Sequence, residues 1–270
     1  MDDWIDGRPA ASLPMRDRGL AYGDGLFETI AVRRGVPSLL ERHLARLAEG
    51  ARRLFLSLDL ETVRNELLAF SAELGEGVAK LIVTRGDGLR GYAPSSGPAR
   101  RLLMASPLPA YPSVCAEEGI ELFPCTTRLA EQPLLAGLKH LNRLEQVLAR
   151  AEWSDSRYAE GLVRDHSGRL IEGVFSNLFL VHDGQLLTPD LQRCGVQGVM
   201  RAALLDLAAA EGINVQVRDI AFDELAVADE VFTCNSLYGI WPVRACGEHV
   251  WSVGPLTRKL QPLALAQLDC

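Results

Sequence analysis

The sequence predicts an α+β protein made of two mixed domains. Its 270 residues, 48% hydrophobic and 23% charged, suit one or two globular domains of about 150 residues each and exclude a disordered chain. Short β-rich segments and segments of helical period are mixed along the whole chain. Neither a helix nor a central strand can continue through the closely spaced prolines Pro107, Pro109 and Pro112. We therefore expect an N-terminal domain over 1–106, a linker over 107–113 and a C-terminal domain over 114–270.

The N-terminal domain is predicted to combine a small sheet with two helices. Asp6-Gly7 is a typical hairpin turn. From Leu40 the apolar period changes to that of an amphipathic helix, and Asp59 is a suitable N-cap for a second helix. The predicted elements are a hairpin at 5–8, a strand at 26–32, helices from 40 and from 60, a strand at 78–83, a Gly-rich loop at 85–100 and a strand at 102–105.

The C-terminal domain is predicted to contain three helices and several short strands. Asp183-Gly184 marks a hairpin turn, and Gly195 and Gly198 precede a helix. The helices are expected at about 141–153, 198–211 and 256–268, and the strands at 160–164, 170–171, 177–181, 213–217, 230–233 and 241–244. This order fits a mixed domain better than a regular alternation of strands and helices.

Charge and composition exclude several classes of protein. The net charge of −7 gives no basic field for nucleic acid or an anionic membrane. There is no run of about 18 apolar residues, and the start of the chain lacks the regions of a signal peptide, so we expect a cytoplasmic protein. The six cysteines and five histidines are scattered without a CxxC pair. Reduced thiols are therefore expected, with no metal site and no disulfide framework.

Chemistry that requires a lysine amine has three candidates, because the chain contains only Lys80, Lys139 and Lys259. Lys259 lies in a polar turn of the last predicted helix and suits a solvated charge. Lys80 lies in an apolar strand and suits a strand-edge charge. Lys139 comes just before a predicted helix, where an amine can enter a cleft and form a Schiff base. From the residues alone, a surface position remains an alternative for Lys139.

Other segments suit a phosphate or a buried acid. The residues Gly195–Arg201 lead into a helix whose first N–H groups have no partner within the helix and favour an anion. Thr233–Ser236 offers polar donors at a strand end, and Arg46 offers a cation. Glu172 ends a short apolar strand and needs a partner, such as a protonated pyridine nitrogen. Each signal alone also fits an ordinary turn, helix start or surface charge.

Together these residues resemble the fold-type-IV family of pyridoxal-phosphate enzymes. Lys139, Glu172, the helix start at Gly195–Val199 and Ser236 follow the order of that family. Residues 18–29 resemble its N-terminal signature, YGDGxFET, and the resemblance extends over about 17–247. It implies the two-domain architecture of D-amino acid and branched-chain aminotransferases, with pyridoxal 5′-phosphate as the cofactor.

Within the family, residues 137–146, 195–201 and 234–247 and the loop at 90–92 resemble the aminodeoxychorismate lyases. The implied reaction converts 4-amino-4-deoxychorismate into 4-aminobenzoate and pyruvate, in folate biosynthesis. One alternative is an aminotransferase of the same fold that acts on a D- or branched-chain amino acid. Another is a binding protein that has kept the fold without the activity. Thr29, Asn235 and the context of Lys139 favour the lyase, and the presence of Lys139 and Glu172 disfavours the binding protein.

The resemblance also implies a role for each site residue, in a homodimer that acts on a small molecule. Lys139 is the covalent cofactor link and the base, Thr29 relays a proton, and Glu172 keeps the pyridine nitrogen protonated. The phosphate contacts are expected from Arg46, from the N–H groups of Val199 and Met200, and from Ser236. Arg90 and Asn235 are the expected clamps for substrate carboxylates, with Arg85 as a second candidate. Two positions depart from the wider family: many aminotransferases carry threonine where this chain has Met200, and branched-chain aminotransferases carry tyrosine where it has Leu144.

Overall fold

A computed structural model describes residues 1–94 and 96–269 and divides the chain into two compact units. The first unit contains Met1–Pro109, the short segment Leu138–Asn142, and residues 268 and 269. The second contains Ala110–Gly137 and Arg143–Gln267. The expected boundaries put residues 138–142 with the C-terminal domain, whereas Leu138 is buried in the core of the first unit. The segment that carries Lys139 therefore belongs to the first unit.

The first unit packs two helices against an antiparallel sheet. Its elements are β1 (Trp4–Ile5), β2 (Arg8–Pro9), α1 (Arg18–Tyr22), β3 (Gly25–Arg33), β4 (Val36–Pro37), α2 (Leu40–Arg53), α3 (Leu60–Leu74), β5 (Gly77–Thr84) and β6 (Arg100–Ser106). Among the described residues, six strands form the order β2-β1-β6-β5-β3-β4. Leu47 of α2 and Leu67 of α3 share a buried core with Ile30 of β3 and Leu81 of β5. Asp59 caps α3 as predicted, since its side chain accepts from the N–H of Glu61.

The second unit is built on a larger mixed sheet. Its elements are α4 (Val114–Glu117), β7 (Ile120–Leu129), α5 (Leu144–Arg150), β8 (Tyr158–Asp165), β9 (Leu170–Gly173), β10 (Asn177–His182), β11 (Gln185–Pro189), α6 (Val199–Ala210), β12 (Val215–Arg218), a 3-10 helix (Phe222–Val227), β13 (Glu230–Asn235), β14 (Gly239–Cys246), β15 (His249–Val250) and α7 (Pro255–Ala266). The path β12-β11-β10-β13-β14-β7-β8-β9 returns on itself, because β9 also pairs with β10 through Glu172 and Asn177. The predicted α+β class is confirmed.

Several elements differ from the expectation. No range was predicted for α1, β4, α4, β7, β11, β15 or the 3-10 helix. β7 contains Pro124 and has register shifts against β8, which obscure its pattern in the sequence. The predicted helix at 141–153 is shorter, since α5 covers Leu144–Arg150. The N–H of Leu141 donates to the carbonyl of Gly25 (3.0 Å), and the Asn142 side chain donates to the carbonyl of Gly23 (3.0 Å). These bonds hold the preceding residues against the start of β3 instead of extending α5.

In the part of the chain that the structure describes, no helix combines the length and the apolar character needed to cross a membrane.

Candidate functional site

Lys139 is held by its backbone against strand β3. Its carbonyl accepts from the N–H of Phe27 (2.9 Å), and the next residue, His140, forms a bridge with Leu26. The side chain is half-buried, and its Nζ lies 4.5 Å from the centre of the Phe27 ring. The face of an aromatic ring attracts a cation, so this position favours an amine that can gain a proton.

Lys80 places a second amine near the same ring. Its Nζ lies 5.7 Å from the centre of the Phe27 ring, and Lys80 pairs with Thr29 across β3 and β5. Phe27 and Thr29 share one face of β3, because side chains alternate along a strand. The expectation of a strand-edge charge was wrong, since β5 lies between β6 and β3. The sequence did contain a sign of this position, since Lys80 is the single charged residue inside the apolar run 78–83.

Arg46 is fixed by a buried carboxylate on the opposite face of β3. Its Nε donates to Glu28 Oε1 (2.8 Å), and a second guanidinium nitrogen donates to Oε2. His43 Nδ1 lies 2.6 Å from Glu28 Oε2. Burial alone would raise the pKa of Glu28, but the charge of Arg46 and the hydrogen bond from His43 lower that pKa to about 2. The ionised Glu28 therefore sets the orientation of the Arg46 guanidinium.

The two candidate arginines of the loop after β5 have different surroundings. Arg85 is buried, and it donates to both carboxylate oxygens of Asp24 (2.7 and 3.0 Å) and to the carbonyls of Leu54 and Phe55 (2.7 and 2.8 Å). These bonds commit Arg85 to holding the first unit together. Arg90, by contrast, is exposed.

In the second unit, Glu172 is tied to the residues that precede α6. It is 4% exposed, and its Oε2 accepts from the N–H of Val196 (2.8 Å). Asn177, its partner in the sheet, donates to the carbonyl of Val196 (2.9 Å). Arg143 is a nearby cation: burial lowers the pKa of Arg143, and Glu172 raises it. The carboxylate of Glu172 is therefore oriented by the protein itself.

The start of α6 has the features of an anion site. Its N-cap is Gly198, no side chain caps it, and its first turn contains no acidic residue. A side chain at Gly198 would collide with Oδ1 of Asn177, so glycine is required there. Arg201 is buried and donates to Thr188 Oγ1 (3.2 Å) and to the Pro189 carbonyl (3.0 Å). The first N–H groups of α6, those of Val199 and Met200 among them, carry the positive end of the helix dipole.

The end of β13 lies beside these residues in the same sheet. Cys234 pairs with Asn177, which in turn pairs with Glu172. Asn235 Oδ1 accepts from the N–H groups of Leu237 (2.9 Å) and Tyr238 (3.0 Å), which fixes the side-chain amide. The pairing of adjacent strands thus brings Glu172 close to the end of β13. The hydrogen bond from Val196 to Glu172 adds the residues before α6 to the same arrangement. Ser236 follows Asn235 directly and is half-buried.

The predicted site residues thus form two groups, each described within its own unit. Lys139 and Thr29 lie along β3 with Arg46 on α2, and Arg90 follows β5. Glu172, Val199, Met200, Asn235 and Ser236 belong to the second unit.

Comparison with known proteins agrees with the fold and the motifs. Residues 25–246 match the family described as amino-transferase class IV. An aminodeoxychorismate lyase from Vibrio harveyi is 38% identical, over 96% of this chain and 97% of that protein. The crystal structure of a 4-amino-4-deoxychorismate lyase from Pseudomonas aeruginosa has a TM-score of 0.97 and 67% identity, over 99% of this chain and 100% of that one. A branched-chain aminotransferase from Escherichia coli has a TM-score of 0.86 and 26% identity, over 98% and 93% of the two chains. The predicted resemblance is confirmed.

Proposed function

This chain belongs to the amino-transferase class IV family, and from that premise we propose that it is a pyridoxal-phosphate-dependent lyase that converts 4-amino-4-deoxychorismate into 4-aminobenzoate and pyruvate. The assignment of this substrate rests on the 67% identity to the Pseudomonas aeruginosa lyase over nearly the whole chain. The 4-aminobenzoate would serve folate biosynthesis.

The residues of this chain fit the cofactor. Lys139 offers an amine beside an aromatic face, Glu172 offers a buried carboxylate, and α6 begins without a side-chain cap. When bound, pyridoxal phosphate supplies an electron sink for the pair left behind by a removed proton. Lys139 would link to it covalently, and Glu172 would keep its ring nitrogen protonated. The phosphate would be held by Arg46, by the N–H groups of Val199 and Met200, and by the Ser236 hydroxyl.

Lys139 is the proposed base. Its amine would take the proton from the substrate ring carbon that carries the nitrogen. The Phe27 ring lies 4.5 Å from Nζ and stabilises the ammonium ion that this step creates. The hydrogen bond from the N–H of Phe27 to the carbonyl of Lys139 keeps the two residues on neighbouring segments. Lys139 therefore has both a fixed position and a partner for its charged form.

Thr29 is the proposed proton relay to the leaving group. The C–O bond of the enolpyruvyl ether breaks, and its electron pair leaves with the enolpyruvate oxygen. The Thr29 hydroxyl, which both donates and accepts, would pass the proton held by Lys139 to the departing group, which becomes pyruvate. Loss of the proton and of the ether leaves the ring aromatic. Arg90 and Asn235 would bind the substrate carboxylates, because charged and amide donors suit carboxylate oxygens.

An aminotransferase reaction is the second candidate, supported by the match in fold to the Escherichia coli branched-chain enzyme. That reaction would use Lys139, Glu172 and the phosphate contacts in the same way. The lyase is favoured because identity is far higher to the lyase structure than to the aminotransferase.

We also propose a cytoplasmic homodimer. The support for the homodimer is an apolar face on α5, where Leu144, Val147 and Leu148 are 75%, 60% and 61% exposed. These positions are three and four residues apart and so lie on one side of the helix. Exposed apolar patches often mark contacts between proteins, and two-fold dimers are the commonest soluble oligomers. Light scattering would test this, and a fully active monomer would contradict it.

The experiment that tests the activity is a coupled incubation. Chorismate, glutamine and an amidating synthase generate the aminated substrate, and the purified protein is then added. We expect 4-aminobenzoate to appear only when this protein is present. Transamination of D-alanine or leucine without any 4-aminobenzoate would favour the second candidate instead.

A further inference from the structure

Glu160 is a fully buried carboxylate in β8, and among the described residues its hydrogen-bond donors are all neutral. Its Oε1 accepts from the N–H groups of Gly161 (2.8 Å) and Val174 (3.0 Å). Its Oε2 accepts from the N–H of Phe175 (3.3 Å) and from the Ser176 hydroxyl (2.7 Å). Three of these four donors belong to the turn formed by residues 174–176. Glu160 therefore holds that turn from inside the second unit.

The turn connects β9, which carries Glu172, to β10. It is closed by a bond from the N–H of Gly173 to the carbonyl of Ser176 (2.8 Å). Its Phe175 carbonyl faces Asn235, whose side-chain nitrogen donates to it (3.4 Å). Since the oxygen of the same amide accepts from two backbone N–H groups, the Phe175 contact completes the orientation of Asn235.

We propose that Glu160 is a positioning residue for substrate binding, because it fixes the turn at 174–176 and, through the Phe175 carbonyl, aims the Asn235 amide at a carboxylate of the substrate. This inference rests on the proposed function, in which Asn235 contacts the substrate. Glu160 itself touches neither substrate nor cofactor.

The chemistry of the side chain supports this role. A carboxylate offers two oxygens that both accept several bonds, which an amide or a hydroxyl cannot do. Burying such a group without a cation is costly, and burial accordingly raises the pKa of Glu160 to about 7. A leucine would fill an apolar strand without that cost. The four donors give the reason for an acid at this position.

The test combines Glu160→Gln, Asn235→Ala and the double variant in the holoenzyme. Glutamine keeps the size of the side chain but turns an NH2 group toward N–H or O–H donors. We expect Glu160→Gln to raise KM about tenfold while kcat changes less than about threefold. The tenfold change is about the effect of losing one buried hydrogen bond. In the Asn235→Ala background, the same change should alter KM by less than about twofold, because residues that act through one another are not additive.

Glu230 provides a matched control. This buried carboxylate accepts from the N–H groups of Leu256 (3.0 Å) and Thr257 (2.7 Å) and from the Thr257 hydroxyl (2.6 Å), at the start of α7. Glu230→Gln should destabilise the protein without raising KM. An equal rise in KM for this control, or an unchanged KM in a folded Glu160→Gln variant, would overturn the inference. The inference would also be overturned if the KM of the double variant rose by the product of the two single-variant effects.

Two further measurements keep the outcomes separate. If Glu160→Gln does not fold, Ser176→Ala removes the hydroxyl that donates to Glu160 and also bonds with Tyr238, and it leaves the carboxylate in place. We expect a rise in KM of about threefold, and an unchanged KM contradicts the inference. Hydrogen exchange at the Phe175 amide should be at least about tenfold faster in Glu160→Gln than in the wild type, and equal exchange contradicts the anchoring. A wild type without lyase turnover refutes the proposed function, whereas an active wild type with unchanged KM in the variants refutes this inference alone.

Discussion

The N–H of Val196 donates to the carboxylate of Glu172 over 2.8 Å, and this bond joins the end of β9 to the approach to α6. Glu172 and Val196 are 24 residues apart, so this contact brings the acid and the approach to α6 into one local arrangement. In the proposed function, Glu172 would contact the pyridine nitrogen of the cofactor and the start of α6 would contact its phosphate. The bond therefore links the two protein features that would hold these two groups.

Glu172→Gln should fold normally and turn over slowly. The amide oxygen can still accept from Val196, but a neutral amide does not hold a pyridine nitrogen protonated. We expect kcat to fall at least about tenfold, which corresponds to about 1.4 kcal/mol. Steady-state kinetics and the melting temperature measure the two effects separately. Near-normal turnover in a folded variant contradicts the role of Glu172.

Lys139→Ala should abolish both lyase turnover and the covalent cofactor link. Lys80 is the competing amine, since its Nζ lies 5.7 Å from the same Phe27 ring. Borohydride reduction of the holoenzyme followed by peptide mapping should place the pyridoxyl group on Lys139. Lys80→Ala is the matched control and should retain the label on Lys139. A label on Lys80 or Lys259 in the wild type would show that the assignment is wrong.

Thr29→Ala should reduce 4-aminobenzoate formation while cofactor binding survives. The change removes the hydroxyl relay and leaves Lys139, Glu172 and the phosphate contacts in place. Thr29→Ser keeps a hydroxyl and is expected to recover most of the lyase activity. Any trace of transamination should fall less than the lyase reaction in the alanine variant. Equal losses of both activities, or no rescue by serine, would remove Thr29 from the mechanism.

Acid should destabilise the first unit through Glu28. Its pKa is lowered to about 2 in the folded state, because Arg46 and His43 outweigh the effect of burial. The folded form binds the proton less tightly than the unfolded form. The stabilisation from Glu28 is therefore complete above its unfolded pKa, near 4.5, and is lost as the pH falls toward about 2.

Glu28→Gln tests the contribution of the Glu28 charge to stability. The change removes the ionised partner of the partly buried Arg46, and we expect a loss of about 3–5 kcal/mol in the free energy of unfolding at pH 7. The decline in stability between pH 4.5 and 2 should also be shallower than in the wild type. Glu41 forms an exposed ion pair with Arg64, and Glu41→Gln should change stability little. Denaturant unfolding across this pH range measures all three proteins.

Local patterns predicted the elements whose signals are contained in a few neighbouring residues. The Asp6-Gly7 hairpin, the Asp59 cap and the helix after Gly198 are of this kind. Strand β7 could not be found in this way, because Pro124 and the shifts in register break its alternation.

The candidate site depended even more on contacts between distant segments. The sequence could not separate Arg85 from Arg90, because the acid that binds Arg85 is Asp24, 61 residues away. Glu160 gave no signal either, since three of its four donors lie on a turn up to 16 residues later. The family resemblance supplied the remaining site residues, because it compares whole motifs in order and does not depend on local propensity.

The most direct measurement is the product balance of purified holoenzyme supplied with 4-amino-4-deoxychorismate. We expect 4-aminobenzoate and pyruvate to appear in equal amounts without any amino acceptor, and we expect Lys139→Ala to form neither product. A transfer of the amino group to a keto acid, with no release of 4-aminobenzoate or pyruvate, would contradict it.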